Sequence, residues 1–298
     1  MFNWLSNITD YAQHLTGRLH HLLAPPGATC LTCGTRATLS SIYPGICPRC
    51  MKQIPWIRSI RCLRCGRGVG CPDCARPHMQ NCSFISNRSA VQYNPLMKEW
   101  IGMYKFRGHE RYAPLLTALL IQAFQAMREE QNSALAKEPL APVAHSATHA
   151  PQTKPQWRPD AVTYVPVSSE RLAERGFNQA ERLATGLATA CRLPIVDLLQ
   201  RQINTTKQSF KSRGERIETM KNAFTINPDG MKLIEELYRG SHLPKHMGIS
   251  HDKPIQLLLI DDIYTTGSTL DACGRVILNA GFYMAIPVEI YTLTLARS

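Results

Sequence analysis

The clearest hydrophobic signal in the chain is Ile255-Gln256-Leu257-Leu258-Leu259-Ile260, a nearly unbroken apolar run of strand length. An uninterrupted run of that kind suits a strand covered on both faces of a parallel sheet. A helical period follows from about Leu270 to Asn279 with Gly281 as its stop, then strands near Met284 to Ile290 and Tyr291 to Leu295. Strand, loop, helix, strand is a βαβ unit. Upstream, the pattern predicts a strand over Ala161 to Val167, a helix over Glu181 to Ala190 and a short strand near Pro194 to Val196. Before these come a linker or short strand from Arg88 to Tyr93, a helix from Pro95 to Ile101, a basic loop from Tyr104 to Gly108 and a helix from Leu115 to Arg128.

Near the start, Phe2, Leu5, Ile8, Ala12, Leu15, Leu19 and Leu22 recur at spacings of three and four, an amphipathic helix that Pro25-Pro26-Gly27 ends. Such a helix docks on its own protein or serves a partner or a membrane surface. Residues 131–158, rich in Ala, Pro, His and Gln, carry no apolar period and read as a disordered insertion, with a shorter one at 229–253. The expected organisation is an N-terminal helix (1–27), a cysteine-rich domain (28–84) and an α/β domain (88–298).

The cysteine-rich stretch has few long apolar runs and much Gly, Pro and Arg, as in a small domain held by metal rather than by a core. Eight cysteines form four Cys-x-x-Cys pairs. Cys30/Cys33 and Cys47/Cys50 are separated by thirteen residues, a good span for a four-thiolate zinc site. Cys62/Cys65 and Cys71/Cys74 have only five residues between them, a tight loop made feasible by Gly66, Gly68 and Gly70; Cys82 or His78 could replace one member. Complete four-ligand sites leave the metal no open position, so a structural role is expected. Cys191 and Cys273 read as ordinary buried residues.

The apolar run at 255–260 delivers Asp261-Asp262-Ile263-Tyr264-Thr265-Thr266-Gly267-Ser268-Thr269 to the sheet edge where α/β folds bind ligands. Two carboxylates suit the hydroxyls of a ribose. The four hydroxyl side chains and one glycine at a helix start suit its 5′-phosphate, gripped by backbone N–H groups and the helix dipole. A helix start that merely caps itself with Thr and Ser is the bland alternative; a Walker-type loop is a poorer one, since the chain has no Gly-x-x-x-x-Gly-Lys-Ser/Thr.

This motif resembles the phosphoribosyl-pyrophosphate loop of type I phosphoribosyltransferases. With Tyr104-Lys105-Phe106-Arg107-Gly108, Arg175-Gly176-Phe177-Asn178-Gln179-Ala180, Gln208-Ser209-Phe210-Lys211 and the N-terminal Cys pairs, the chain is similar to the ComF family in particular. The resemblance implies a type I phosphoribosyltransferase-like α/β fold, a five-stranded parallel sheet with flanking helices, preceded by a small zinc-ribbon domain. It implies that Lys105 and Arg107 approach pyrophosphate, that Arg175 and Lys211 lie in a basic flap, and that Mg²⁺ accompanies phosphoribosyl pyrophosphate. It further implies a role in taking up single-stranded DNA during natural transformation, with a competence helicase as partner. An active phosphoribosyltransferase of nucleobase salvage is the competing reading, and a zinc-dependent adaptor a third. No catalytic residue or acceptor is identifiable.

Charge sharpens this picture. The formal net charge is +12, and two tetrathiolate zinc sites would lower it to about +8, still suited to a polyanion. From Met51 to Tyr112 there are eleven Lys/Arg against three Asp/Glu, interleaved with Trp56, Phe84, Tyr93, Trp100, Tyr104 and Phe106. Cations beside aromatic faces are what single-strand binding requires, although aromatics at these spacings also make cores. No run of 18 apolar residues and no leader pattern occur, so the expected location is the cytoplasm or the inner face of its membrane.

Overall fold

In the computed structural model, strand β5 (Ile255–Tyr264) lies at the heart of the α/β sheet. The structure describes residues 28–69, 71, 74, 81–106, 109–136, 156–202, 223–241 and 253–298. The other strands of the main sheet are β1 (Ser86–Gln92), β2 (Ala161–Tyr164) and β6 (Val288–Arg297), in the order β1-β6-β5-β2 and all parallel. A fifth position exists only as a parallel bridge between Val162 and Ile195. Pro194, with no N–H to donate, keeps that segment from extending the ladder.

Strand side chains alternate in direction, so the unbroken apolar run feeds two cores at once. Leu258 and Ile260 pack into one cluster with Leu119 and Phe124 of α3 (Tyr112–Leu135) and Leu183 and Leu187 of α5 (Gln179–Cys191). Ile255, Leu257 and Leu259 pack on the opposite face with Cys273 and Ile277 of α7 (Ser268–Tyr283). Helix α2 (Pro95–Phe106) contributes Met97, Trp100 and Ile101 to the first cluster. No helix among the described residues is long and apolar enough to cross a membrane.

Several boundaries differ from the expected ones. The two strands expected after α7 are one continuous β6, and α7 runs past Gly281 to Tyr283, where the Met284 N–H still reaches the Ala280 carbonyl. Helix α3 extends to Leu135, and the Trp157 N–H donates to Asn132 Oδ1 at 2.6 Å. Trp157 is buried against Phe124 and Tyr291, so both described ends of the 131–158 segment are structured. Part of the expected second insertion is helix α6 (Pro228–Ser241), which buries Met231 and Ile234 at a helical spacing of three. The expected N-terminal helix over 2–23 and the Gln208-Ser209-Phe210-Lys211 segment lie outside the described residues.

Among its described residues the cysteine-rich segment contains one short helix, α1 (Pro48–Met51), and the segment does not stand apart from the sheet. Its first half is in the first cluster: Cys30, Ile46, Cys47 and Cys50 are buried with Trp100 and Tyr112, and the Tyr112 hydroxyl donates to the Leu31 carbonyl at 2.8 Å. The second half rests on β1. The Asn87 N–H donates to the Arg64 carbonyl at 2.7 Å and Asn87 Nδ2 to the Cys65 carbonyl at 3.2 Å. Gly66, at φ 68°, lies so close to the Asn87 carbonyl that a Cβ would overlap it.

Candidate functional site

The C-terminal edge of the sheet carries the site. β5 ends on Asp261, Asp262, Ile263 and Tyr264, and the chain then turns through Thr265, Thr266 and Gly267 into α7. Gly267 occupies the left-handed region at φ 81°, and a Cβ there would collide with the Tyr264 hydroxyl. Only glycine meets both demands without strain. The Thr266 and Ser268 hydroxyls lie 2.9 Å apart and the Ser268 N–H points at Thr266 Oγ1 at 3.4 Å, so donors gather at the start of a 16-residue helix. Thr265 is exposed while its carbonyl accepts from Arg297 Nη1 at 2.8 Å. Thr269 follows in the first turn of the helix, partly open to solvent.

Beside this loop the two carboxylates divide in character. Asp262 is ion-paired with Lys105, in the last turn of α2. Burial, and then the adjacent Asp262 charge, push the Asp261 carboxyl up to about 7; the Asp262 N–H, which donates to Asp261 Oδ1 at 2.8 Å, together with Lys105 and Arg201, opposes the rise. At neutral pH Asp261 is therefore poised to give up a proton when a cation or hydroxyl donor arrives. Arg175 closes the seven-residue helix α4 (Ser169–Arg175) and donates from Nη1 to Gln179 Oε1 at 2.8 Å. Burial lowers its pKa, and among the opposing influences is the charge of Asp262.

The structure thus brings together Asp261, Asp262, Thr265, Thr266, Gly267, Ser268, Thr269, Lys105 and Arg175. Arg107 and Lys211 lie outside the described residues. Lys105 sits on a helix rather than in the expected loop, with its side chain 14% exposed beside Asp262. Sequence reasoning missed Arg201 on β3 (Leu199–Arg201), the strand paired antiparallel with β4 (Phe224–Ile226). Its guanidinium lies 5.3 Å from the Phe224 ring centroid, and the Asp261 charge opposes the lowering of its pKa by burial. It also missed Arg297. A lone arginine at a strand end carries no pattern that could have found either.

Two sets of four thiols complete the picture: Cys30, Cys33, Cys47 and Cys50, and Cys62, Cys65, Cys71 and Cys74, each set with its sulfurs within 4.8 Å of one another. Cys33 and Cys47 sulfurs are 3.8 Å apart, and those of Cys65 and Cys71 3.4 Å. A zinc tetrathiolate with ordinary bond lengths has sulfur–sulfur edges of about 3.8 Å, so both cages fit the ion. Burial and crowding raise the pKa of Cys50 and Cys74 and lift Cys65 to about 11, a cost that a divalent cation offsets. Cys82 is not a member: its thiol donates to the Phe84 carbonyl at 3.3 Å, while His78 lies outside the described residues.

The aromatic platform expected for bases is largely core. Phe84, Trp100 and Tyr104 are 3%, 0% and 1% exposed, and only Trp56 and Tyr93 keep partial access among the described members of the set. Apolar burial outweighed surface display: α2 presents Trp100 and Tyr104 to the cluster that holds α3 and the first cysteine cage, while Phe84 is buried in the opposite cluster against Tyr264. The cations Arg49, Lys52, Arg58 and Arg61 remain on the surface.

No family model matches the chain. Among curated proteins, it is 29% identical over 290 residues to the competence protein ComFC of Bacillus subtilis, spanning 96% of this chain and 91% of that one. It is 26% identical to ComFC of Streptococcus pneumoniae, over 85% and 83% of the two chains. The DNA utilization protein YhgH of Escherichia coli K12 is also 26% identical, over 84% of this chain and 96% of its own. Adenine phosphoribosyltransferase of Leishmania donovani aligns at 13% identity over 59% of this chain and 65% of that one, with a TM-score of 0.21.

Proposed function

We propose that this chain, homologous over most of its length to the ComFC and YhgH proteins and built on a phosphoribosyltransferase-like α/β sheet with two tetracysteine cages, binds phosphoribosyl pyrophosphate with Mg²⁺ and handles single-stranded DNA during DNA uptake. The observation that carries the ligand is the loop at 264–269: a left-handed Gly267 and clustered Thr266 and Ser268 donors at a helix start, with two carboxylates one step upstream. A 5′-phosphate fits the donors and the helix dipole. Ribose hydroxyls and Mg²⁺ fit Asp261 and Asp262. Lys105, Arg175 and the sequence-predicted Arg107 and Lys211 suit a pyrophosphate that carries several negative charges.

The DNA reading rests on surface charge and on the names of the relatives, a competence protein and a DNA utilization protein. Arg49, Lys52, Arg58 and Arg61 offer an exposed basic track on the cysteine-rich segment, which favours phosphate contacts over base stacking. A competence helicase is the partner this reading calls for. Calorimetric titration of the zinc-loaded protein with phosphoribosyl pyrophosphate and Mg²⁺, with and without a single-stranded oligonucleotide and beside an Asp261→Ala/Asp262→Ala variant, tests it. Saturable heat lost in the variant supports the site; no heat in the wild type removes the ligand from the reading.

A further inference from the structure

The phosphate loop and the second cysteine cage share one buried side chain. Arg297, the last residue of β6, is 5% exposed. Its Nη1 donates to the Thr265 carbonyl at 2.8 Å and to the Tyr264 carbonyl at 3.3 Å, while Nη2 lies 3.6 Å from Cys65 Sγ. The guanidinium stacks over the Tyr264 ring at 4.2 Å from its centroid, and the edge of Phe84 meets the same ring at 6.4 Å. Tyr264 is in turn the floor on which Gly267 sits.

A second connection runs parallel to the first. Asp271, in the opening turn of α7, donates its N–H to the Gly267 carbonyl at 2.8 Å. Its carboxylate accepts from the Ser83 N–H at 2.7 Å and from Arg275 Nε at 2.9 Å, and Arg275 Nη2 donates to the Asn81 carbonyl at 2.8 Å. The chain leaving the second cage is thereby tied to the helix that begins at the phosphate loop. The first cage is anchored elsewhere, on α2 and α3 through Tyr112 and Leu31.

We propose that Arg297 is a positioning residue through which the second cage, Cys62, Cys65, Cys71 and Cys74, holds the phosphate loop in its ligand-ready shape, so that metal at this cage and ligand at the loop stabilise each other. A metal-bound Cys65 thiolate accepts a charge-assisted hydrogen bond from Nη2, which fixes the planar guanidinium and therefore the two carbonyls it holds with Nη1. Loss of the ion frees Cys65 and, with it, the guanidinium and the loop. Coupling between two binding events is reciprocal, so ligand at the loop slows metal loss from this cage. The inference rests on reading 264–269 as a phosphate loop.

Two measurements on the full chain test it. The first is amide hydrogen exchange over 264–269 without any ligand, in wild type, Arg297→Lys, Cys71→Ser and Cys33→Ser proteins. Exchange at the loop is expected to rise tenfold or more in Arg297→Lys and Cys71→Ser and to stay at the wild-type rate in Cys33→Ser. Unchanged exchange in Arg297→Lys with both cages loaded overturns the proposal, even if Cys71→Ser unfolds more widely. The second is zinc release to a chromogenic chelator, with and without phosphoribosyl pyrophosphate and Mg²⁺. Release is expected to slow severalfold in Cys33→Ser, which keeps the second cage, and to be indifferent to ligand in Cys71→Ser; equal slowing in both overturns it. Failure of phosphoribosyl pyrophosphate to bind at all sinks the functional reading, and the ligand-free exchange comparison still decides the coupling.

Discussion

Lys105 on α2 and Asp262 on β5 form an ion pair in which neither side chain is more than 17% exposed. The cation that the family resemblance assigns to a pyrophosphate is therefore held, without ligand, by the carboxylate proposed for the ribose. Binding would exchange this pair for a larger network of opposite charges in the same half-enclosed space.

Removing Lys105 tests that exchange. In Lys105→Ala the affinity for phosphoribosyl pyrophosphate with Mg²⁺ is expected to fall about tenfold to a hundredfold, the loss of about 1.5 to 3 kcal/mol for a hydrogen bond to a charged group. Calorimetry reads the affinity, and a thermal melt checks that the variant is folded. Unchanged affinity would mean that Lys105 serves only to neutralise Asp262.

The Asp261 carboxyl, raised to about 7 from an ordinary 3.8, gives a pH signature. The folded state holds this proton more tightly than the unfolded chain, so its contribution to stability is full below about pH 4 and is lost as pH rises toward 7. Asp261→Asn is expected to flatten that part of the profile and to raise the urea midpoint at pH 8 relative to wild type. Ligand binding should also expel up to about half a proton at pH 7, where a carboxyl of pKa about 7 is half protonated, read by calorimetry in buffers of different ionisation enthalpy, and the Asn variant should expel less. Parallel profiles for the two proteins would show that Asp261 ionises normally.

Gly267→Ala meets both a left-handed backbone and the Tyr264 hydroxyl. The backbone alone costs about 1 to 2 kcal/mol, and the collision adds to it by displacing the loop donors. The expected result is a lower melting temperature and loss of phosphoribosyl pyrophosphate binding. Tyr264→Phe in the same chain removes the colliding oxygen and should recover part of the stability. Full binding by Gly267→Ala would show that the loop shape does not govern the grip.

What the sequence could disclose follows from how local each feature is. The run at 255–260 and the loop after it are contiguous, so their place at a sheet edge is written in one stretch of chain, and the paired cysteines are legible because zinc needs four ligands wherever they fall. Trp100 and Tyr104 were ambiguous because an aromatic at helical spacing serves a core or a surface equally well; contact with α3 decided it. The insertion at 229–253 hid α6 because Met231 and Ile234 are sparse anchors among polar neighbours. Arg297 was invisible: Cys65 and Thr265 lie 200 residues apart in the chain and meet only through the β1–β6–β5 packing.

The burial of Phe84, Trp100 and Tyr104 alters what DNA binding should look like. With few rings available for stacking, affinity rests on exposed cations such as Arg58 and Arg61, and cations that meet phosphates make binding steeply dependent on salt. Each phosphate contact contributes a slope of about −0.7 in log affinity against log salt for a single strand. Arg58→Glu/Arg61→Glu is expected to weaken oligonucleotide binding at low salt and to reduce that slope by about 1.4, one step of about 0.7 for each lost contact. Phosphoribosyl pyrophosphate binding should be untouched, since neither arginine reaches the loop in the contacts described. Fluorescence anisotropy at several salt concentrations gives the slope. A weak salt dependence in the wild type, with sensitivity to Trp56→Ala instead, would move DNA binding from charge back to stacking.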